Sequence, residues 1–297
     1  LNAAAAAAAL PAGITVTNVE TVNVRSAHDV GVTGAGKAFD VSGFTGTTTL
    51  NVTQAAKVFV EAAATTDINV SGATDLIQID GAKNISVTDA TADKAITIGA
   101  TTAAAGTISV TDSKQGTGNI EIHGGTDVTV TTTADKADSG NITIGDSAKG
   151  MATGNVVVTQ NTTNNATANI TAGNVTVTGG KTVEITANMT NTAVKGGATA
   201  NIINAGKYEV IAGNTTTDVT ITQNATATNF ENDAAEMVKE TSVVTFNEMK
   251  ATETLNINGL IFTASKDLTA AEVAAAFANL TDKDTQSATG ITANGIY

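Results

Sequence analysis

The feature that most limits the fold of this chain is a very short motif, two apolar residues, nearly always β-branched, flanking a polar one. It recurs from about residue 14 to about residue 222. It reads Ile14-Thr15-Val16, Val22-Asn23-Val24, Leu50-Asn51-Val52, Ile68-Asn69-Val70 and Ile85-Ser86-Val87. It returns as Ile96-Thr97-Ile98, Ile108-Ser109-Val110, Ile120-Glu121-Ile122, Val128-Thr129-Val130 and Ile142-Thr143-Ile144, and later as Val175-Thr176-Val177, Val183-Glu184-Ile185 and Val219-Thr220-Ile221. Strict alternation is the period of a half-buried strand. Threonine suits the outer face, because its branched side chain fits the pleat while its hydroxyl meets water.

Strand starts follow one another every 8 to 14 residues, and those at Leu76, Ile96, Ile120 and Ile142 step by 20, 24 and 22. Two strands with their turns thus occupy about 20 residues, one coil of a solenoid. The expected fold is all-β, a right-handed parallel β-solenoid (β-helix) of short strands with a small C-terminal β/α module. An array of β-sandwich domains is the rival. Sandwich strands run longer and carry core aromatics, whereas aromatics make up 3% of this chain.

Turn residues separate the strands: Ser71-Gly72, Asp80-Gly81, Gly124-Gly125, Ser139-Gly140, Gly179-Gly180 and Gly196-Gly197. They permit tight reversals. Asparagine leads into strands at Asn84, Asn119, Asn141, Asn155, Asn169 and Asn174. Stacked at equivalent corners, these residues could form amide ladders; alternatively they reflect only the turn preference of asparagine.

Three segments follow: 1–12, a junction or short Ala-rich helix; 13–229, the repeat region; and 230–297, a small β-β-α module. The last includes a short helix over Ala234 to Lys239 and a hairpin around Asn258-Gly259. Thr269-Ala270-Ala271-Glu272 is a capping box, with Leu268 and Val273 placed as a hydrophobic staple. This module either caps the repeats or begins a further unit, and the sequence reads as part of a longer chain.

A formal charge of −13 and a pI near 4.4 exclude phosphate-neutralising nucleic-acid binding and attraction to anionic membranes. No run of about 18 apolar residues is present, so membrane insertion is not expected. Without cysteine, disulfides and thiolate metal sites are excluded.

Catalytic residues are not expected. His28 and His123 lie far apart, and His123, before Gly124-Gly125, reads as a solvated turn imidazole. Glu121 and Glu184 occupy strand centres without an identifiable partner carboxylate, which disfavours sugar cleavage. Aspartates gather at turns: Asp75, Asp80, Asp89, Asp93, Asp112, Asp127, Asp135, Asp138 and Asp146. Carboxylates and turn carbonyls are what Ca²⁺ requires. Asp112, Asp127, Asp135 and Asp138 are the calcium candidates, against the alternative of solvated turn aspartates. Gly124-Gly125-Thr126-Asp127 is only part of a calcium-binding nonapeptide. Asn-x-Ser/Thr triplets, such as those at Asn51, Asn165 and Asn214, arise readily in this composition.

Gly13-Ile14-Thr15-Val16 running into Val19-Glu20-Thr21-Val22-Asn23-Val24 resembles the strand lead-in of bacterial β-strand-repeat surface proteins. Leu255-Asn256-Ile257-Asn258-Gly259 and Leu268-Thr269-Ala270-Ala271-Glu272-Val273 are similar to modules of the same surface-layer and type I-secreted proteins. The resemblance implies a bacterial cell-surface location, an extracellular lattice or fibre built from copies of the chain, and calcium-assisted assembly. Any hold on cell-surface polysaccharide would lie in parts outside this sequence. The expected function is a structural, non-enzymatic component of such a layer. An adhesin stalk or glycan-binding module is the first alternative and a polysaccharide-active β-helix the second.

Overall fold

A computed structural model describes residue 10 and residues 14–32, 38–89, 94–135, 137–165, 168–192, 201–227, 242–257, 260–277, 291–292 and 295–296. Segment 1–12 apart from Leu10, the expected helix at 234–239 and the Asn258-Gly259 turn lie outside these residues.

Consecutive strands alternate between two sheets. The first repeat holds β1 (Thr21–Arg25) and β2 (Phe39–Asp40), the second β3 (Thr49–Thr53) and β4 (Val58–Ala62). Next come β5 (Asp67–Ser71) with β6 (Ile77–Gly81), and β7 (Ile85–Asp89) with β8 (Ile96–Ile98). The fifth and sixth are β9 (Ile108–Asp112) with β10 (Ile120–Ile122), and β11 (Val128–Asp135) with β12 (Ile142–Ile144). Two larger repeats follow: β13 (Asn155–Asn164), β14 (Ile170–Thr171) and β15 (Val175–Thr178), then β16 (Thr182–Asn191), β17 (Ile203–Asn204) and β18 (Tyr208–Ile211). The ninth has β19 (Asp218–Ala227) and β20 (Ser242–Thr245).

One sheet runs β1-β3-β5-β7-β9-β11-β13-β16-β19 and the other β2-β4-β6-β8-β10-β12-β15-β18-β20, while β14 pairs with β17. Every pairing within these three sets is parallel. This is a repeat architecture of parallel strands and not an antiparallel sandwich array.

The register explains the choice of residues. Val24, Val52, Val70, Val87, Val110, Val130, Val158, Ile185 and Ile221 form one unbroken column. In the second sheet Ile77, Ile96, Ile120, Ile142 and Val175 form another. Both columns enter a single buried core. Each such side chain contributes roughly 1.5–3 kcal/mol on burial.

The coil of about 20 residues, with the expected steps of 24 and 22 at Ile96, Ile120 and Ile142, does not hold along the whole chain. Leu50 pairs with Ile68, 18 residues on, but Val128 pairs with Val156, 28 on, and Val183 with Val219, 36 on. Strands lengthen from 5 residues in β9 to 10 in β13 and β16, and β14 and β17 are inserted. The wider interior takes polar residues. Buried Gln160 donates through Nε2 to the Gly173 carbonyl at 3.0 Å and accepts from the Tyr208 hydroxyl at 2.9 Å.

Parallel pairing extends past residue 229, since β20 continues the second sheet and Val219 of β19 pairs with Ile257. The latter belongs to β21 (Thr254–Ile257), which makes an antiparallel pair with β22 (Leu260–Ala264). Helix α1 (Ala270–Ala276) begins with the capping box read from the sequence. The backbone N–H of Thr269, followed by the Lys266 ammonium and the Thr269 hydroxyl, pulls the Glu272 carboxyl down to about 2. Met249, Leu255, Phe262, Leu268 and Val273 make a separate small core. Two short strands, β23 (Ile291–Thr292) and β24 (Gly295–Ile296), pair antiparallel, and β24 joins β22.

Candidate functional site

Asparagine at the strand lead-ins proves to be a corner acceptor. The Asn119 side-chain oxygen takes the N–H of Asn141 at 2.9 Å, Asn141 that of Asn174 at 2.9 Å, and Asn174 that of Lys207 at 2.7 Å. Each side chain thereby satisfies a backbone donor of the following repeat. Amide-to-amide ladders exist elsewhere, on the strand faces. Asn51 donates to Asn23 at 2.8 Å and Asn69 to Asn51 at 2.9 Å, while Asn188 donates to Asn161 and Asn224 to Asn188 at 2.9 Å each.

Three of the calcium candidates, Asp112, Asp127 and Asp135, are spread out, and Asp138 caps a separate backbone N–H. Asp127 accepts from the Asn155 N–H at 2.7 Å and Asp138 from the Thr171 N–H at 2.6 Å, both as exposed corner caps. Asp112 is buried at the end of β9, accepts from the Lys114 N–H at 3.1 Å, and pairs in register with Thr132. Asp135 ends β11 opposite Thr163. Along β11, Thr132 lies five residues beyond Asp127 and three before Asp135. At about 3.3 Å per residue, that is roughly 16 Å and 10 Å, against Ca–O distances of about 2.3–2.6 Å. Among the described residues no three His, Cys, Asp or Glu side chains are placed so that they could hold one metal ion.

Register does bring three other carboxylates side by side. Glu61 of β4 pairs with Asp40 of β2 and with Asp80 of β6. Asp80 is committed to the N–H groups of Thr101 and Thr102 at 2.7 and 3.2 Å. Partial burial, then Asp40, then Asp80 hold the Glu61 carboxyl above the ordinary glutamate range. A raised acid pKa means that the folded state binds the proton more readily, so ionised Glu61 opposes folding. The penalty is absent below the unfolded value near 4.5 and complete above the raised folded one. Glu61→Gln is therefore expected to raise the thermal midpoint at pH 7, with the gain vanishing by about pH 4. Thermal unfolding at both pH values checks this, and an equal gain at both would contradict it.

His123 corrects the expectation of a solvated turn. It is 1% exposed, with Nε2 2.9 Å from a Glu121 carboxylate oxygen that Lys149 also approaches at 3.6 Å. The alternation leaves it on the outer face, but the Asp146–Gly150 turn covers that face, with Gly124 donating to the Gly150 carbonyl at 3.1 Å. Glu121 stands between Thr97 and Thr143, and Glu184 between Val157 and Thr220, so neither has a carboxylate across an adjacent strand. His28 lies in the first repeat, its carbonyl accepting from Ala56.

A groove of about 550 Å³ opens where β1 and β3 end, with Val24 and Ala27 contributing apolar surface beside its polar side chains. Asn23, Arg25, Ser26, Asn51, Thr53 and Gln54 line it. Arg25 donates through Nε to Gln54 Oε1 at 2.6 Å. The sequence marked Arg25 as the one arginine, but no local signal linked it to Gln54, which register brings alongside from 29 residues away.

Among the described residues no helix is long and apolar enough to cross a membrane. Comparison with known proteins finds no family model, no curated protein and no solved structure that matches this chain.

Proposed function

We propose that this chain is a right-handed parallel β-solenoid serving as a structural, non-enzymatic component of an extracellular bacterial surface assembly. The observation that carries this reading is the unbroken parallel register, with one Val/Ile column shared by nine strands of the first sheet. Such stacking makes a stiff element whose outer faces repeat Thr, Asn and Ser at the strand spacing, about 4.8 Å. Regular faces of this kind suit contact with further copies of the chain.

Copies carrying −13 each repel one another. Calcium supplies the compensating charge, bridging carboxylates of adjoining copies. The test is electron microscopy of the full chain with calcium and then with a chelator. Ordered sheets or fibres that disperse on chelation are expected. Dispersed monomers under every calcium condition would overturn the proposal.

A further inference from the structure

We infer that the groove at Arg25 is a subsite for a carboxylated saccharide, a uronic acid unit, whose carboxylate is taken by the guanidinium and whose hydroxyls are taken by the amides beside it. The chain has 15 basic and 28 acidic residues, yet among the described residues its only arginine meets no carboxylate within ion-pair distance. The side chain is instead held by a neutral amide, with Nε engaged by Gln54 at 2.6 Å. That leaves the outer guanidinium donors for a planar, bidentate anion, the geometry a carboxylate offers and a lysine cannot match.

Gln54 carries the second strand of the case. Its φ is +59°, in the left-handed region that disfavours any residue with a Cβ. Thr53 pairs with Ser71, so the equivalent corner of the next repeat is Gly72, with φ +64°. One repeat uses glycine at this corner, and the other keeps a strained glutamine whose side chain orients Arg25. Strain retained where glycine would relieve it is a mark of ligand sites.

The groove, about 550 Å³, is within the usual range for small ligands. Asn23 and Asn51, already joined at 2.8 Å, present carboxamides at strand spacing, with Thr53 adding a hydroxyl, while Ser26 is buried at the floor with its Oγ accepting from the His28 N–H. Among the described residues no aromatic ring lines it, so a neutral sugar would gain no stacking from them, and charge must supply the selectivity.

The probe is a galacturonic acid trisaccharide titrated into the full chain at low ionic strength. Its fully methyl-esterified form, a tri-aspartate peptide and acetate are titrated in parallel. Saturable binding of the trisaccharide alone is expected. Arg25→Gln and Gln54→Gly should each weaken it roughly tenfold or more, with Arg25→Lys failing to restore it and Lys181→Gln leaving it unchanged. Circular dichroism and the thermal midpoint report folding; Arg25 is exposed, and Gln54→Gly suits the backbone already present. No saturation by about 10 mM, full binding by Arg25→Gln, or equal binding of the ester, the peptide or acetate would overturn the assignment. Chains that fail to form lattices would still bind the sugar, so this result and the assembly test stand independently.

Discussion

Replacing Ile120 with aspartate is expected to break the stack of repeats at its middle. Ile120 is wholly buried, lies in register between Ile96 and Ile142, and sits in the core shared by both sheets. Truncating a buried isoleucine to alanine costs roughly 2–5 kcal/mol. An aspartate adds the cost of a carboxylate with no partner, several kcal/mol more if it stays ionised. Against a typical total stability of about 5–15 kcal/mol, that is enough to unfold the affected repeats. Repeats couple chiefly to their neighbours, so the loss should be graded. Hydrogen exchange should show β8, β10 and β12 losing protection first, while β16 and β18 keep more of theirs. Urea unfolding should shift to a lower midpoint and spread over a broader range than in the parent. An unchanged midpoint would mean that these columns are not the source of stability.

Those columns were legible in the sequence because β-branched alternation is a local signal, complete within three residues. Repeat length was legible at Ile96, Ile120 and Ile142, which pair at steps of 24 and 22, but not where corners take insertions or strands lengthen. The widened interior was hidden for a different reason. Val128–Asp135 carries threonine on both faces, so the apolar/polar contrast disappears just where the strand lengthens. His123 was misplaced because alternation gives the face of a residue but not what covers that face. The candidate groove was half legible, since Arg25 stands out by composition, whereas the left-handed Gln54 and its reach to Arg25 are properties of register. The carboxylate column of Asp40, Glu61 and Asp80 steps by 21 and 19 residues, close to one coil, but nothing local to any of the three marks it as facing the others.

Gly173→Ala, a single added methyl, is expected to be among the most damaging small substitutions. Gly118, Gly140, Gly173 and Gly206 occupy equivalent corners, each just before the residue that leads into a strand of the second sheet. A Cβ on Gly140 would lie under 3.0 Å from the Gly118 carbonyl oxygen, one on Gly173 equally close to that of Gly140, and one on Gly206 to that of Gly173. Space and not backbone freedom requires glycine here, because none of the four has a positive φ. The obstacle is backbone held on both sides. The Gly173 N–H donates to Ser139 Oγ at 2.7 Å, and its carbonyl accepts from Gln160 at 3.0 Å. Relief therefore means moving a whole corner and giving up the bonds that Gly173 makes with Ser139 and Gln160. Overpacking of this sort costs roughly 1–3 kcal/mol, occasionally more, and the upper end is expected because no flexible side chain can yield. Gly43→Ala is the matched control: nothing lies within 4 Å of its Cβ and its φ is not positive. There the methyl should be neutral or stabilise by about 0.4–1 kcal/mol, through the unfolded chain. Urea unfolding of the two variants beside the parent measures the difference. Equal stability of the two would show that the corners can spread, and the Gly-Asn lead-in would then be explained by its asparagine alone.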